Sequence, residues 1–491
     1  NTKGSDWADV TDTFVTENKL EFSYGTLTFD TTAGTWTHSS GRSGTGTVAE
    51  KSWTSPLGDT LNFKKAEYKF DSIKLSGNLQ VVLTGTNPLS LQTENNGDVE
   101  ILVDLNASGG AGTGAETSPQ SGAGGRGPGG GAVLGGGAGG ESVEQNGQGR
   151  PGGEPTNLAG ATVVNGGGGY SNTAWQIEPR GAGGSYGGQG TKPVNDDRDV
   201  VVGFTYGDRK LDALFGGAGG SGASGWWDNG QQRERGAGAG GGGGGAIEIL
   251  ADGNGSITIG ANVNILAEGG GIPLLAHASN VLHGWNGGNG GGGAGGSIRL
   301  EANNITNNGL LSVRGGKRGH DFYGGAGGGG RIAMIARKAL VPGQYDISGG
   351  RNADDTTVVA GDGTLYVEAS EGGMASLQAV TGSVVIDTSA GTLIYSGPTG
   401  SGLAFGTVED KILQAGGVDH AYSVCTFTFD SINIAGSVIV QIKGTNSLEL
   451  ATRNHGDVTI ETDLNLNGSS DSTSGPGGWK GGTAAGNGPG G

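Results

Sequence analysis

Apolar and polar residues alternate over short runs in much of this chain, the period-two pattern of half-buried β-strands. In Gly25–Thr35 (GTLTFDTTAGT), Leu27 and Phe29 alternate with Thr28 before an Ala-Gly turn. Tyr68–Leu75, Leu79–Leu83, Leu89–Leu91 and Val99–Leu105 are further short apolar runs punctuated by Gly, Asn and Asp. All of these predict strands. Nothing in the flanks sustains a 3.6-residue period, and the best helix candidate is the short segment Asp208–Leu214.

In the middle of the chain, glycine tracts lead directly into strands. Gly240–Gly245 precedes Ala246–Leu250, Gly290–Gly296 precedes Ser297–Ala302, Gly324–Gly330 precedes Arg331–Ile335, and Gly363 precedes Thr364–Ala369. Ile298, Ile332 and Leu365 are spaced by 34 (332 − 298) and 33 (365 − 332) residues. That spacing predicts successive coils of a parallel β-solenoid, with one inward Ile or Leu per strand forming an apolar ladder. The expected fold class is therefore all-β: solenoid coils with long glycine-rich tracts, flanked by β-rich modules. β-Sandwich packing is the alternative for the flanks, whose spacing is less rung-like.

The flanking modules are copies of one another. Gly25–Thr35 returns as Gly382–Thr392, an offset of 357 (382 − 25), and Phe70-Asp71-Ser72-Ile73 returns as Phe429-Asp430-Ser431-Ile432, an offset of 359 (429 − 70). Gly85-Thr86-Asn87 matches Gly444-Thr445-Asn446, and Asp104-Leu105-Asn106 matches Asp463-Leu464-Asn465. Gly127-Pro128-Gly129-Gly130 is echoed by Gly488-Pro489-Gly490-Gly491. The chain thus divides into a lead-in at 1–24, a β-rich module at 25–108, a glycine-rich region at 109–239, solenoid coils at 240–376, a second module at 377–467, and the start of a second glycine-rich region at 468–491. Opening on Asn1-Thr2-Lys3 without a leader, the chain reads as a piece of something longer, in which units of about 358 residues repeat and stack into a fibre.

Composition sharpens this picture. Glycine supplies 111 of 491 residues while hydrophobic residues make up 33% and aromatics 6%, too few for large layered cores. The glycine tracts have two states open to them, flexible linkers or packed extended helices of three residues per turn. A net charge of −18 disfavours nucleic acid as a partner. No run of about 18 apolar residues predicts a membrane span. A lone cysteine, Cys425, rules out an intrachain disulfide framework.

Candidates for chemistry are sparse. Gly315-Gly316-Lys317-Arg318 lacks the hydroxyl of a phosphate-binding loop. His320-Asp321, Arg351 and Asp354-Asp355 are the nearest thing to a polysaccharide-cleaving constellation, yet no carboxylate cluster recurs at coil spacing. The six histidines include no pair with zinc-ligand spacing. Asp98, Asp104, Asp252, Asp362 and Asp457 sit beside Asn and Gly at strand edges and are candidate ligands for structural calcium; Asp beside Gly is also ordinary turn chemistry. Trp226, Trp227, Trp285 and Tyr170 are candidate glycan contacts, against the plainer reading that they plug gaps between glycine segments. Asn106, Asn254, Asn304 and Asn467 stand in Asn-x-Ser/Thr triplets, which also arise by chance. No other cofactor is expected.

The strings GGGGGGAIEILADGNGSITIGANVNILAEGGG and GGGGAGGSIRLEANNITNNGLLSVRGG resemble glycine-rich β-helix surface proteins of bacteria, with the texture of haemagglutinin-like repeats and autotransporter passengers. Tracts such as Gly109–Gly153 are longer than the loops of that family. The resemblance implies a bacterial, secreted, cell-surface setting and an adhesive or matrix-forming role without catalysis. The expected function is a non-enzymatic extracellular structural protein that assembles with itself, by tandem repeats or head to tail, and contacts cell-surface glycans. The alternatives are a polysaccharide-binding or -degrading β-helix enzyme and a discrete monomeric adhesin.

Overall fold

The computed structural model describes residues 18–54, 60–112, 131–141, 181–193, 202–223, 226–228, 233–235, 238–272, 290–318, 324–352, 358–369, 376–397, 400–415, 418–453 and 456–466. These residues are all-β, with no helix. The first module holds β1 (Lys19–Asp30), β2 (Thr35–His38), β3 (Ser43–Thr45), β4 (Thr47–Thr54), β5 (Thr60–Phe70), β6 (Ser72–Thr84), β7 (Leu89–Thr93), β8 (Val99–Ile101) and β9 (Leu105–Asn106). A hairpin comes after it, β10 (Trp226–Asp228) with β11 (Arg233–Arg235). Next come β12 (Ala246–Ala251), β13 (Ser256–Ile259) and β14 (Asn264–Leu266), then β15 (Ser297–Ala302), β16 (Asn304–Asn307) and β17 (Leu310–Ser312). β18 (Arg331–Ala336), β19 (Leu340–Val341), β20 (Gln344–Asp346) and β21 (Thr364–Ala369) complete the first unit.

The strands are visited in threes, and each three stacks in parallel on the one before. β12, β15, β18 and β21 extend the sheet begun by β5 and β7; β13, β16 and β19 extend that of β6 and β8; β14, β17 and β20 extend that of β9. All three sheets remain open. Leu89, Ile247, Ile298, Ile332 and Leu365 lie opposite one another across successive strands and are fully or almost fully buried. Leu91, Ile249, Leu300, Met334 and Val367 form a second such row, and Val99, Ile257, Ile305 and Leu340 a third on the neighbouring sheet. Burying each aliphatic side chain stabilises by about 1.5–3 kcal/mol, and parallel pairing in register places like against like.

The helix expected at Asp208–Leu214 does not form. The Asp208 carboxylate accepts hydrogen bonds from the N–H groups of Asp212 and Ala213, and Leu211 takes a left-handed backbone conformation (φ 60°), which an α-helix does not tolerate. The segment instead lies across the outer face of the β5–β21 sheet. There Leu211, Leu214 and Phe215 pack with Tyr186 on Phe63, Ala246, Ala333 and Tyr366.

The second module repeats the order of the first, with β1 and β6 each divided in two and no strand at the place of β9: β22 (Leu377–Ala379), β23 (Gly382–Asp387), β24 (Thr392–Gly397), β25 (Gly400–Phe405), β26 (Thr407–Ala415), β27 (Val418–Phe429), β28 (Ile432–Ile434), β29 (Val438–Lys443), β30 (Ser447–Thr452) and β31 (Val458–Ile460). Pairings match as well as strands. Leu20 opposite Ile73 returns as Leu377 opposite Ile432, Ala66 opposite Leu89 as Cys425 opposite Leu448, and Ile73 opposite Val99 as Ile432 opposite Val458. This module has its own core around Phe427 and Phe429. Its β25 and β26 meet β21, the last strand of the first unit. Phe405 packs on the first core, and Arg209 Nε lies 3.4 Å from Asp410 Oδ1.

Candidate functional site

The structural feature most particular to this chain is the array of glycine segments beside the sheets. Residues 290–296 stand at its centre. Gly291 and Ala294 donate their N–H groups to the carbonyls of Ser221 and Ala218, Gly292 and Gly295 to those of Gly325 and Gly328, and Gly293 and Gly296 to those of Gly270 and Ala267. All six bonds measure 2.7–2.9 Å. In return, the carbonyls of Gly291 and Ala294 accept from Gly241 and Gly244, that of Gly292 from Gly184, and that of Gly293 from Gly316. One segment is thus bonded to six others, and four of those partners recur after three residues, as an extended helix of three residues per turn requires. The segment 238–245 obeys the same rule: Gly240 and Gly243 donate to Gly140 and Gly137, Gly241 and Gly244 to Gly291 and Ala294, Gly242 and Gly245 to Gly110 and Ala107.

Alanine fits at a few positions such as Ala294, but where backbones come closest only glycine does. A Cβ on Gly291 would come within 1.8 Å of the Ala182 carbonyl oxygen, and one on Gly295 within 1.8 Å of that of Val313. Ordering glycine costs more backbone entropy than ordering any other residue. A net gain of about 1 kcal/mol per hydrogen bond offsets that cost only when each segment bonds on several sides. Mutual reinforcement of this kind makes the array cooperative. Of the two states open to the tracts in sequence, the described segments adopt the packed one.

On the sheet face crossed by the 208–215 segment, here called the strap, runs a row of polar and charged side chains, and Arg299 Nη2 lies 3.8 Å from Asp212 Oδ1 of the strap. Glu67, Ser90, Glu248 and Arg299 stand opposite one another across β5, β7, β12 and β15. The Glu248 side chain is 1% exposed; Lys65 Nζ lies 2.6 Å from it, Arg299 Nη1 2.9 Å, and Ser90 donates its hydroxyl at 2.5 Å. Burial pushes the Glu248 carboxyl upward, but Lys65, Arg299 and the hydrogen bonds outweigh it and hold the group below the usual carboxylate range. Nearby, Arg331 donates to the Tyr206 carbonyl and to Thr364, with its guanidinium over the Tyr186 ring. The Tyr186 hydroxyl, pushed up to about 12 by burial, pairs at 2.6 Å with Ser297. These groups join strand to strap. Single charges inside AIEIL and SIRLE carry no motif in sequence; the one signal is their coincidence at one outward position of neighbouring parallel strands.

The residues singled out in sequence are dispersed. Asp98 accepts from the Ser256 N–H and Asp104 from Asn264, each between neighbouring parallel strands, Asp362 accepts from Gly349 within the connection from β20 to β21, and the Asp252 and Asp457 carbonyls accept from Gly255 and Ile432. Among the described residues no three His, Cys, Asp or Glu side chains gather as a metal-binding group. Asp252 lines a shallow depression with Lys69, Glu94, Glu301 and Arg337, where Lys69 pairs with Glu94 and Arg337 with Glu301. Trp226 and Trp227 belong to the β10–β11 hairpin. Arg351 forms an isolated bridge with Val358. The Asn106 side chain accepts from Ser108, the Asn254 N–H donates to Asn96, and Asn304 bonds Ser256. Tyr170, Trp285, His320, Asp321, Asp354, Asp355 and Asn467 lie outside the described residues. No helix among the described residues is long and apolar enough to cross a membrane. Comparison with protein-family models, with curated proteins and with solved structures returns no match.

Proposed function

We propose that this protein is a non-enzymatic structural component of an extracellular fibre or matrix. In this reading the three stacked sheets are the walls of a β-solenoid, and the glycine segments beside them form a polyglycine-II bundle that stiffens it. The observation that carries the proposal is the bonding of 290–296 to six neighbouring segments with a three-residue repeat. Such an array gives rigidity from backbone alone, with few side chains, which suits a material made in quantity. The second module set against the end of the first unit supplies a rule for propagation, since a heterologous contact that does not close continues into a filament.

A bacterial cell-surface location rests on the sequence resemblance. Contact with surface glycans is assigned to the hairpin bearing Trp226 and Trp227, because aromatic faces stack on sugars. Electron microscopy and light scattering on native material test the fibre. Filaments with an axial repeat support it, and uniform particles of the 48.5 kDa chain with no axial order overturn it.

A further inference from the structure

The chain contains one module twice; among the described residues, later strands cover the first copy and none covers the second. In the first copy, the outer edges of β7, β8 and β9 are taken by β12, β13 and β14, with Ile247 opposite Leu89, Ile257 opposite Val99 and Ile265 opposite Leu105. In the second copy, β30 pairs among the described strands only with β27, and β31 only with β28. The side chains register the difference. Val99 is 0% exposed and its counterpart Val458 is 53% exposed. Leu89, Leu91, Ile101 and Leu105 are buried, whereas Leu448, Leu450, Ile460 and Leu464 are each partly open. On the outer face, Phe63 is 3% exposed beneath Phe215, their ring centroids 5.3 Å apart, while its counterpart Tyr422 is 42% exposed.

We infer that the face formed by β30, β31, Leu464 and Tyr422 is a docking surface for a further unit of the same repeat, engaged as residues 202–266 engage the first copy. The inference deepens the fibre reading by naming the face through which the fibre grows. Its basis is continuity with an interface already present in the chain. The backbone edges are the same parallel edges, offering the same unpaired N–H and C=O groups. The apolar positions keep their character: Val for Val, Ile for Ile, Leu for Leu at 99/458, 101/460 and 105/464. Tyr replaces Phe at 63/422, so an aromatic platform for a residue such as Phe215 is kept. The occupant is specified by chemistry: a strand reading apolar-x-apolar for β30, a second for β31, and an aromatic strap for Tyr422. Among the described residues only 202–266 meet that description, and they are already engaged on copy one, so the occupant is a further unit.

The opposite junction shows that such joining does occur end to end. Val408 is 2% exposed where β26 meets β21, and its counterpart Val48 is 37% exposed where β4 meets no such earlier strand among the described residues. The same position is therefore closed where a module meets a preceding strand and more open where no described strand precedes it.

The test extends the full chain by a second copy of residues 131–376 joined after Gly491, which restores the order found after the first module. Hydrogen exchange is read at Val458–Ile460 and at Ser447–Thr452, with tetranitromethane nitration of Tyr422 read in parallel. The expected result is that outward amides of β30 and β31 slow by about a hundredfold or more, towards the rates of β7 and β8, and that Tyr422 is shielded. A companion extension carrying Asp at the positions equivalent to Ile247 and Ile257 should leave both readouts as in the unextended chain. Unchanged exchange in the first extension, with its own appended strands protected, overturns the inference. If β30 and β31 become protected but no filament forms, the docking surface stands and the fibre reading falls; filaments without protection at β30 and β31 give the converse.

Discussion

A Cβ added to Gly293 would stand 2.0 Å from the carbonyl oxygen of Gly242, which belongs to a different glycine segment. Neither partner has a side chain that can move aside, and each backbone is fixed by further bonds: Gly293 donates to Gly270, and Gly242 donates to Gly110. Gly293→Ala is expected to force segments 238–245 and 290–296 apart and to destabilise by about 3 kcal/mol, the upper part of the range for overpacking a filled interior. Gly131→Ala meets nothing within 4 Å and is the matched control, expected to be neutral. Thermal or denaturant unfolding of the two variants checks the contrast. Equal, small losses would show that the array is not close-packed.

Removing the Glu248 carboxylate leaves Lys65 and Arg299 facing one another with their buried counter-ion gone. Glu248→Ala is expected to cost about 3 kcal/mol, the low end for deleting one partner of a buried ion pair, because Lys65 keeps Glu67 and Arg299 keeps Glu301. The same group makes stability depend on pH. Its carboxyl is held below the ordinary glutamate value of 4.5, so above that value it is ionised in both folded and unfolded chains and its stabilisation is fully present. Below 4.5 the unfolded chain takes up the proton first, and the contribution drains away as pH falls through the folded-state value. Denaturant midpoints measured from pH 7 down to pH 3 should fall more steeply in the wild type than in Glu248→Gln. Parallel curves would remove Glu248 as the cause.

How much of this is legible in sequence varies with the kind of interaction. The ladder through Ile298, Ile332 and Leu365 can be read because parallel strands place like residues opposite one another, and the chain repeats them at nearly constant spacing. The twofold module can be read because Leu20–Ile73 and Leu377–Ile432 keep both residues and register. The glycine array stays undecided in sequence, since glycine carries no side chain to report on which side its neighbours lie. Its order resides in backbone bonds such as Gly291 to Ser221, between segments far apart in the chain. The strap at 208–215 escapes sequence reading because a local Asp208 cap and a left-handed Leu211 override a weak helical pattern.

Phe215 fastens the strap. Its ring packs edge-on to Phe63, and its carbonyl accepts from Ser297, whose hydroxyl also meets Tyr186. Phe215→Ala deletes a fully buried aromatic side chain, and about 3–5 kcal/mol is expected for the loss with its cavity. The loss should be local first, because the inward ladders do not touch this ring. Limited proteolysis should cut within 202–215 in the variant under conditions where the wild type resists, while the amides of β12 and β15 stay protected. Simultaneous loss of protection across those strands would show that strap and sheets unfold as one.

Cys425 gives a reporter for the second module alone. The thiol is fully buried and burial pushes it up to about 12, so at pH 8 it is both inaccessible and protonated. Ala66 takes its place in the first copy, opposite Leu89 as Cys425 is opposite Leu448, so Cys425→Ala should cost no more than about 1 kcal/mol. In the native chain a disulfide reagent at pH 8 should label it at least about a hundredfold more slowly than in denaturant, since labelling waits on opening. The second module has half-open Val458 and Tyr422 where the first has buried Val99 and Phe63, and it therefore gains less from burial. Labelling should accordingly set in at a lower urea concentration than the main unfolding transition followed by circular dichroism, with the modules unfolding separately. Coincident midpoints would mean that the joint made by Phe405 and Arg209 is strong enough to couple the two cores, and rapid labelling of the native chain would show that Cys425 is not enclosed.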